Sequence, residues 1–195
     1  MGNVLLDITM SLDGYIALPD DQVGTIHDWF FTGDTTSRYN EQFKTSGRST
    51  EVLDEEFTTT GALVVGKRTY DLTNGWEGNH PVHGVPVFVV THDVPEKVPQ
   101  GATPFTFVTD GIESAIKQAQ SAAGDKIVVV MGGASLAQQC LKAGLLDEIQ
   151  IHLASVLLGE GVRLFEHLVA EQIELETTRV VEAPGVTHLR FRIVR

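Results

Sequence analysis

The sequence predicts an α/β fold with a mixed, mostly parallel sheet that ends in an antiparallel hairpin. Three short apolar runs, over residues 62–66, 85–90 and 127–131, lack the polar alternation of a half-exposed strand. Such runs are typical of strands covered on both faces, and helix or loop segments separate them, as parallel connections require. Two later strands, near 172–182 and 186–194, are separated only by the tripeptide Ala-Pro-Gly, which favours a hairpin.

Composition limits the class of protein. The 195 residues include 42% hydrophobic side chains, with no shift in composition that would mark a linker, so we expect one domain over residues 1–195. The formal charge of −12 disfavours nucleic acid and anionic membrane as partners. No apolar run reaches the length of about 18 residues that a membrane span needs, and no secretory signal precedes the first strand. These observations predict a cytoplasmic protein.

The remaining elements follow from local signals in chain order. A first strand over residues 4–11 would place Asp7, Thr9 and Ser11 on one face, because side chains alternate along a strand. Residues 18–48 are predicted to be loop. The other predicted elements are a helix capped by Ser49 or Thr50 and ending near Thr60, a helix capped by Asp110 over residues 111–124, a helix over 134–144 and a strand over 148–157. The single cysteine, Cys140, falls on the apolar side of its helix and is expected in the core.

A glycine pair after the strand at 127–131 predicts a nucleotide site. Gly132 and Gly133 would let a phosphate approach the backbone, so a branched side chain at Gly133 would occupy the space of the phosphate, with added strain if the turn uses positive φ there. The helix that follows directs its unpaired N–H groups and positive dipole end out of the sheet edge. The alternative is a purely structural strand–turn–helix unit, because the spacing is not the G-x-G-x-x-G of a dinucleotide-binding turn.

A second turn gathers positive charge in an otherwise acidic chain. Gly66 follows an apolar strand and precedes two cations and a hydroxyl at residues 67–69, at the start of a predicted helix. Cations, a hydroxyl and free N–H groups at one helix N-terminus suit a phosphate. A third apolar strand ends in Thr91 and His92, so three strands carry such groups at their carboxyl ends. The alternative interpretation is that the cations are solvated surface charges.

Several segments of the chain resemble one protein family. MSLDGYIA (10–17), VVGKRTYD (64–71), VFVVTH (87–92), the segment 128–165 and the closing hairpin are similar to the dihydrofolate reductase-like superfamily. Within it they most resemble the C-terminal reductase domain of RibD, the riboflavin-pathway deaminase-reductase. The most specific motifs are SLDGYIA and the pair GLLDE with LLGEG. The resemblance implies a three-layer dihydrofolate reductase-like fold, NADPH as hydride donor, a small heterocyclic substrate and a homodimer.

The resemblance also implies roles for individual residues. The two turns and the end of the third strand would hold the 2′-phosphate and pyrophosphate of NADPH, and residues of the first two strands would line the nicotinamide. The implied cofactor-binding residues are Thr9, Ile16, Ala17, Gly66, Lys67, Arg68, Thr69, Thr91, His92, Gly132, Gly133, Ala134, Ser135 and Leu136.

Asp13, Ser11 and Trp29 are the predicted catalytic residues. The cofactor supplies the hydride, so the protein must orient the substrate, exclude water and provide one proton. Asp13 is the first candidate for the proton donor, directly or through water, with His27, Asp54 and Glu55 behind it. Each has a structural alternative: Asp13 can belong to a turn, and the carboxylates at 54–56 can form the exposed face of a helix.

Two further patterns leave alternatives open. Trp29, Phe30 and Phe31 could stack on a flat heterocycle or pack the loop that contains them. His80 and His83 have a spacing that suits a metal, but no third ligand is close in sequence, so no metal site is predicted.

The sequence predicts an NADPH-dependent reductase of a pyrimidine- or pterin-type heterocycle, similar to 5-amino-6-(5-phosphoribosylamino)uracil reductase. Folate reductases carry a carboxylate four residues before a pocket phenylalanine, where this chain has Leu53 before Phe57, unless Asp54 takes that place. RibD-type domains usually carry a paired Asp-Asp-Pro after the first turn, where this chain has the single Asp71. The alternatives are dihydrofolate reductase and a nucleotide-binding protein without turnover.

Apolar strands near the C-terminus predict self-association. They offer more apolar surface than the predicted helices would cover, and such a patch usually marks a contact surface. A two-fold homodimer is the commonest arrangement, unless the same strands pack inward. The residues concerned are Ile149, Ile151, Leu153, Leu189, Phe191 and Ile193.

Overall fold

The computed structural model describes residues 2–166, 168 and 172–194. The chain divides into two compact units, one formed by Met1–Leu6 with Thr59–Leu146 and the other by Asp7–Thr58 with Asp147–Arg195. Strand β1 (Val4–Ser11) contributes its first residues to the first unit and the rest to the second. None of the helices in these described ranges has the length and hydropathy that crossing a membrane requires.

The first unit contains the parallel part of the fold. Its other elements are β5 (Thr60–Gly66), α2 (Lys67–Leu72), β6 (Val87–Val90), β7 (Phe105–Val108), α3 (Ile112–Ala123), β8 (Ile127–Met131) and α4 (Ala134–Lys142). The strands lie in the order β1-β8-β5-β6-β7, and every neighbouring pair is parallel. Because β-branched side chains fill both faces of β5, β6 and β8, these strands form the core, as their apolar runs predict.

Helix α3 packs against β5, β6 and β8 through small and branched residues at helical spacing, among them Ala115, Ile116 and Ala119. The predicted cap at Asp110 is wrong: Gly111 precedes the helix with φ +103°, and no side chain caps it. Cys140 of α4 is fully buried, which confirms its predicted place in the core.

A left-handed helical turn follows α2. Asn74, Gly75, Trp76 and Glu77 have φ values of 50°, 55°, 49° and 52°, a conformation that costs L-residues about 1–2 kcal/mol each. Trp76 packs on the apolar core of this unit, and that packing helps to offset the strain. Residues with a Cβ in this conformation give no sequence signal, so the turn was not predicted.

The second unit contains the antiparallel part of the fold. Its elements after β1 are β2 (Tyr15–Ala17), a 3-10 helix (Asp28–Phe30), β3 (Thr35–Thr36), β4 (Lys44–Thr45), α1 (Gly47–Thr59), β9 (Glu148–Ala154), β10 (Val162–Arg163), β11 (Leu175–Ala183) and β12 (Val186–Ile193). The main strands lie in the order β11-β12-β9-β1, and β12 is antiparallel to both β11 and β9. The predicted hairpin and mixed, mostly parallel arrangement are therefore confirmed.

Helix α1 begins earlier than its predicted cap. The Ser46 Oγ accepts a hydrogen bond of 3.3 Å from the Ser49 N–H, so Ser46 stabilises the N-terminal turn. Ser49 and Thr50 lie inside the helix and are buried, and the cap predicted there is wrong. The segment 18–48 is largely irregular, as predicted, but it contains the 3-10 helix and the short pair β3–β4.

Candidate functional site

The three turns predicted to hold phosphate lie at one edge of the first unit's sheet. In the parallel ladders Gly66 pairs with Val90, and Val65 pairs with Met131, so β5, β6 and β8 end side by side. The turns that follow these strands therefore share the carboxyl edge of the sheet. In open α/β sheets this edge is where ligands bind.

The two glycine-containing turns touch each other. Gly132 has φ +101°, and a Cβ built on it would lie 2.4 Å from Thr69 Oγ1, so only glycine fits there. Gly133 has φ −78° and would place a Cβ 3.8 Å from the same atom. The turn therefore uses positive φ at Gly132 and not at Gly133, and Gly132 is the residue that must be glycine.

Gly133 precedes α4 without any side-chain cap, so the first N–H groups of this nine-residue helix face outward from the turn. Ala134 and Leu136 are buried, and only their backbone atoms can meet a ligand. Ser135 is exposed, and its Oγ accepts a hydrogen bond of 3.1 Å from Gln139 within the helix. This arrangement suits an anion held by backbone N–H groups.

The positive charges around these turns lie at the surface. Lys67 Nζ is 2.6 Å from Asp71 Oδ1 in an exposed ion pair, while Arg68 and His92 are exposed. Thr91 is buried, and its Oγ1 donates to the Asp93 carbonyl and accepts from the Asp93 N–H. The Thr91 hydroxyl therefore stabilises its own turn, whereas the contacts of Lys67, Arg68 and His92 with a phosphate stay predictions.

The residues assigned to the nicotinamide belong to the second unit. Thr9 of β1 and Ile16 of β2 are buried, and Ala17 is half-buried. Ala17 pairs with Val162 across the short β2–β10 ladder, which fixes the backbone at this position. Their predicted contact with a cofactor stays a prediction.

Asp13 is held by hydrogen bonds on both carboxylate oxygens. Oδ1 accepts from Ser11 Oγ at 2.5 Å and from the Leu158 N–H at 3.1 Å, and Oδ2 accepts from the Gly159 N–H at 2.7 Å. The bond from Ser11, followed by those from the two backbone N–H groups, lowers the Asp13 pKa to about 2. Asp13 is thus ionised at neutral pH, and the geometry does not favour it as proton donor. It fits the alternative of a turn residue that positions β1 and the loop at 158–159.

The aromatic residues of the loop mostly contact one another. Trp29 is 4% exposed and stacks on Phe30 at 3.9 Å between ring centroids, and it packs in an apolar cluster with Leu53 and Val186. Phe31 is exposed. Trp29 Nε1 is buried without a hydrogen-bond partner among the described residues. The packing alternative fits Trp29 and Phe30 best, and the unpaired indole N–H leaves Trp29 as a candidate ligand contact.

A buried polar cluster lies beside Trp29, and the sequence analysis missed it. We call it the His152 cluster: its members are Asp7, Ser49, Glu56, Gln150, His152 and His188. His152 Nε2 lies 3.0 Å from Asp7 Oδ1 and 3.4 Å from Glu56 Oε1. The Gln150 amide donates to both carboxylates.

The charges of the His152 cluster control its protonation. Burial first, and then the neighbouring Asp7 carboxylate, raise the Glu56 pKa to about 7. Burial alone would lower the pKa of His152, but Asp7 and Glu56 outweigh it and raise this pKa to about 10. At neutral pH the cluster therefore holds one imidazolium, that of His152, and a Glu56 that is partly protonated.

The other side of His152 leads to a second buried histidine. His152 and His188 are cross-strand partners, and their Nδ1 atoms are 2.6 Å apart. His188 Nε2 lies 2.9 Å from Ser49 Oγ. Burial, and then the charge of His152, lower the pKa of His188 to about 3 and keep it neutral. His152 can thus donate from Nδ1 to His188, and His188 can donate from Nε2 to Ser49.

The exposed-face interpretation of residues 54–56 holds only in part. Glu55 forms an exposed ion pair with Arg179, and Asp54 accepts from Ser37 and Arg38. Glu56 instead turns into the His152 cluster, so the interpretation is wrong for this residue. The sequence carried a signal for one member only: Asp7 shares a face of β1 with Thr9 and Ser11, which are buried.

Asp7, Glu56 and His152 also place one potential ligand atom each within 4.8 Å of one another. The hydrogen bonds from His152 and Gln150 already satisfy these carboxylates, so we interpret the group as an ion-paired network. His80 is buried in the first unit, and its Nδ1 accepts from the Val82 N–H, which gives no support to the His80–His83 spacing as a metal site.

Both the sequence and the fold of this chain are similar to those of known proteins. Residues 3–189 match the family model of the RibD C-terminal domain. The chain is 25% identical over 178 residues to the uncharacterised protein YwjB of Bacillus subtilis (strain 168), covering 90% of each chain. It is similar to a Shewanella sp. PV-4 structure named for riboflavin biosynthesis, at 25% identity, a TM-score of 0.73 and 99% coverage of each chain. Dihydrofolate reductase of Enterococcus faecalis, solved with NADP(H), shares the fold at 13% identity and a TM-score of 0.59, covering 100% of this chain and 98% of that one.

Proposed function

The chain belongs to the RibD C-terminal domain family, and on this premise we propose that it is an oxidoreductase that uses NADPH to reduce a pyrimidine- or pterin-type heterocycle. One observation carries the cofactor assignment: three strand ends meet at one sheet edge, and the Gly132 turn lies against Thr69 of the next turn. The exposed N-terminus of α4 and the cations Lys67 and Arg68 at the same edge match the charge of a dinucleotide phosphate.

The reaction class follows from the cofactor. Reduced nicotinamide supplies a hydride, and the substrate must accept this hydride at an electrophilic carbon of a C=N or C=O bond while the heteroatom takes one proton. The residues assigned to nicotinamide contact are Thr9, Ile16 and Ala17. The protein's contribution is to hold the two reactants, exclude water and provide the proton.

The substrate is proposed to resemble that of 5-amino-6-(5-phosphoribosylamino)uracil reductase. The family and the riboflavin-biosynthesis name of the Shewanella protein support this choice. Asp71, which stands alone where RibD-type domains carry a paired acid, is occupied by its ion pair with Lys67. We therefore expect recognition of a substrate phosphate to differ in detail from that of RibD itself.

Dihydrofolate reduction is the second candidate. Leu53 is buried among Trp29 and Val186, where it offers no acceptor to the N–H donors of a pterin. Glu56 of the same helix, however, places a carboxylate in a buried polar cluster, and this observation favours keeping the candidate. A nucleotide-binding protein without turnover would bind NADPH but reduce neither substrate.

The test has two stages. Fluorescence titration with NADPH and NADH measures whether the protein binds a dinucleotide and prefers the phosphorylated form. NADPH absorbance is then followed with 5-amino-6-(5-phosphoribosylamino)uracil and with 7,8-dihydrofolate as substrates. Turnover of the uracil derivative is the expected result, and turnover of dihydrofolate alone would favour the second candidate. Tight NADPH binding without any turnover would favour a binding protein, and absence of binding would contradict the proposal.

A further inference from the structure

We propose that Glu56 donates the proton consumed in the reduction and that His152, His188 and Ser49 are positioning residues that hold this carboxyl in place. The inference rests on the proposed reductase function. In the step, hydride adds to the substrate carbon, the π pair of the C=N or C=O bond moves to the heteroatom, and the heteroatom takes the proton of the Glu56 carboxyl. Glu56 is left as a carboxylate and is reprotonated from solvent before the next turnover.

The candidate suggested by the sequence is unsuited to this task. Asp13 accepts hydrogen bonds on both oxygens, from Ser11 and from two backbone N–H groups, and these bonds stabilise its ionised form. Giving up a proton requires first acquiring one, which this environment opposes. Glu56 has the reverse environment, because burial and a neighbouring carboxylate stabilise its protonated form.

The hydrogen-bond directions in the His152 cluster leave one proton for Glu56. Protonated His152 donates from Nε2 to the Asp7–Glu56 side and from Nδ1 to His188. One imidazolium cannot neutralise two adjacent carboxylates, so the second carboxylate gains by holding a proton. Asp7 is the closer of the two to the charged His152 Nε2, whereas the closer donor to Glu56 is the uncharged Gln150 amide, and this difference assigns the proton to Glu56.

His188 and Ser49, which follow His152 in a series of hydrogen bonds, fix the orientation of the His152 ring. His188 is neutral, so its Nδ1 accepts from His152 while its Nε2 donates to Ser49 Oγ. Both histidines lie on neighbouring antiparallel strands at the same register position, which holds their rings rigidly. Trp29 packs at 5.1 Å from the His152 ring and 5.0 Å from the His188 ring and keeps water off this side.

The cluster also lies where a substrate could reach it. The Glu56 side chain is 18% exposed, so it lies at the edge of the cluster rather than at its centre. Asp7 lies two residues before Thr9 on the same face of β1, and Thr9 is one of the residues assigned to the nicotinamide. The proton donor and this residue therefore line one surface of the second unit.

The charged groups around Glu56 determine how its proton depends on pH. Asp7 faces it from β1 and His152 from β9, while Glu55 on its own helix points to Arg179. Burial, and then the charges of His152 and Arg179, lower the pKa of His188 on β12. Burial, and then the charge of His152, lower the pKa of His27 in the loop. Of the groups that face Glu56, Asp7 raises its pKa and His152 lowers it, and His152 keeps its charge until about pH 10.

The experiment compares Glu56→Gln with the matched control Glu51→Gln at an exposed position of the same helix, α1. Both variants are first checked for folding by circular dichroism and for NADPH binding by fluorescence. The kcat and KM for 5-amino-6-(5-phosphoribosylamino)uracil, or for dihydrofolate if that is the substrate turned over, are then measured against pH. We expect Glu56→Gln to lower kcat by about 10²-fold or more, the range for loss of a general acid, with NADPH affinity unchanged. Glu51→Gln should behave like the parent protein.

A second measurement does not depend on turnover. Carbon-13 NMR of the glutamate carboxyl groups should show one resonance that titrates near neutral pH and disappears in Glu56→Gln. His188→Gln should shift this titration and lower kcat less than Glu56→Gln does, because it disturbs the donor only through His152. If Glu56→Gln does not fold, the NMR titration of the parent and of His188→Gln still decides the question.

Three results would overturn the inference: parent-like kcat in Glu56→Gln, a Glu56 resonance that titrates in the ordinary glutamate range, or activity lost in EDTA and restored by a divalent cation. Failure of the proposed function looks different. The protein would then bind no NADPH or reduce no substrate, while the NMR titration would still report the state of Glu56.

Discussion

Asp13 and Glu56 are both carboxylates of the second unit, yet the fold moves their pKa values in opposite directions. Asp13 receives three hydrogen bonds, two of them from backbone N–H groups, and its pKa falls to about 2. Glu56 shares a buried space with Asp7, and its pKa rises to about 7. The two acids are thus suited to different tasks: Asp13 positions a loop, and Glu56 can hold a proton.

The cofactor proposal makes a prediction for Arg68. Replacing Arg68 with Ala should narrow the preference for NADPH over NADH by about 1.5–3 kcal/mol, the range for a hydrogen bond to a charged group. The reason is that the guanidinium can bind the 2′-phosphate but gains little from a bare ribose hydroxyl. Fluorescence titration with both dinucleotides measures the change. Lys117→Ala, an exposed cation on α3, is the control and should leave the preference intact. Equal affinity of the parent protein for NADPH and NADH would contradict the assignment.

The turns proposed to bind phosphate could be located from sequence because each is formed by consecutive residues, such as Gly66 to Thr69. The His152 cluster could not, because its members come from β1, α1, β9 and β12, and only the folded sheet brings them together. Glu56 and Gln150 are 94 residues apart in the chain. No local pattern distinguishes Glu56 from its exposed neighbour Glu55.

At the scale of elements, the turn between β8 and α4 depends on one glycine. Gly132→Ala should weaken NADPH binding and lower the free energy of unfolding by about 1–3 kcal/mol, because a Cβ there meets Thr69 and the φ of +101° is strained. Gly133→Ala is the matched control, since its φ of −78° and open surroundings should leave stability nearly unchanged. Urea unfolding and NADPH titration of both variants provide the measurement. Equal stability of the two variants would show that the Gly132 turn is not strained in solution.

The left-handed turn after α2 gives a second prediction at this scale. Glu77 has φ +52°, so Glu77→Gly should raise the free energy of unfolding by about 0.5–1 kcal/mol, as the relief of strain exceeds the entropy cost of glycine. Glu77→Ala keeps the strain and should not be more stable than the parent. Urea unfolding distinguishes the two cases. A destabilised Glu77→Gly would mean that the Glu77 side chain contributes more than its backbone costs.

The bounds of helices and strands were predicted well where the pattern of hydrophobic residues was periodic and continuous. The bounds of β1 agree with the predicted 4–11, and β8 and α3 agree within a residue or two. The four-residue strand β7 was missed, because Phe105 to Val108 is too short to show a period. Helix α1 began early because Ser46, rather than the serine and threonine inside the helix, supplies the cap.

For the whole molecule, the buried histidines predict how stability varies with pH. His188, His27 and His80 have folded pKa values of about 3, 4 and 4, below the ordinary 6.5, because burial opposes their charge. The unfolded chain therefore binds more protons in acid, and stability should fall as pH drops below about 6.5. Glu56 opposes this trend between its ordinary pKa of 4.5 and its folded value of about 7. One carboxyl should not outweigh three histidines.

On the alkaline side His152 acts in the opposite sense. Its folded pKa of about 10 lies above 6.5, so the stability it contributes is complete below pH 6.5 and is lost as pH rises towards 10. Urea unfolding from about pH 4 to about pH 10 should show the maximum near neutrality. Stability that rises steadily from neutral pH into acid would contradict this assignment of buried neutral histidines.

Self-association stays a prediction at the scale of the molecule. Ile149 and Ile151 are buried within the chain, so they follow the inward-packing alternative and cannot form an exposed patch. Exposed Leu175 and Val180 on β11 still offer apolar surface. Sedimentation at micromolar concentration should give a species of twice the 21.2 kDa chain mass. A single species at the chain mass would contradict self-association, and these strands would then have a purely structural role.

The burial of Cys140 has a practical consequence. It is the single thiol in the chain, it has no exposed surface, and burial raises its pKa to about 12, so it is almost never a thiolate in the folded protein. A thiol-reactive dye can therefore label this residue only when α4 opens locally or the protein unfolds. The natural sequence thus contains its own reporter of local opening, and the labelling rate would reveal whether a bound nucleotide slows the motion of that helix.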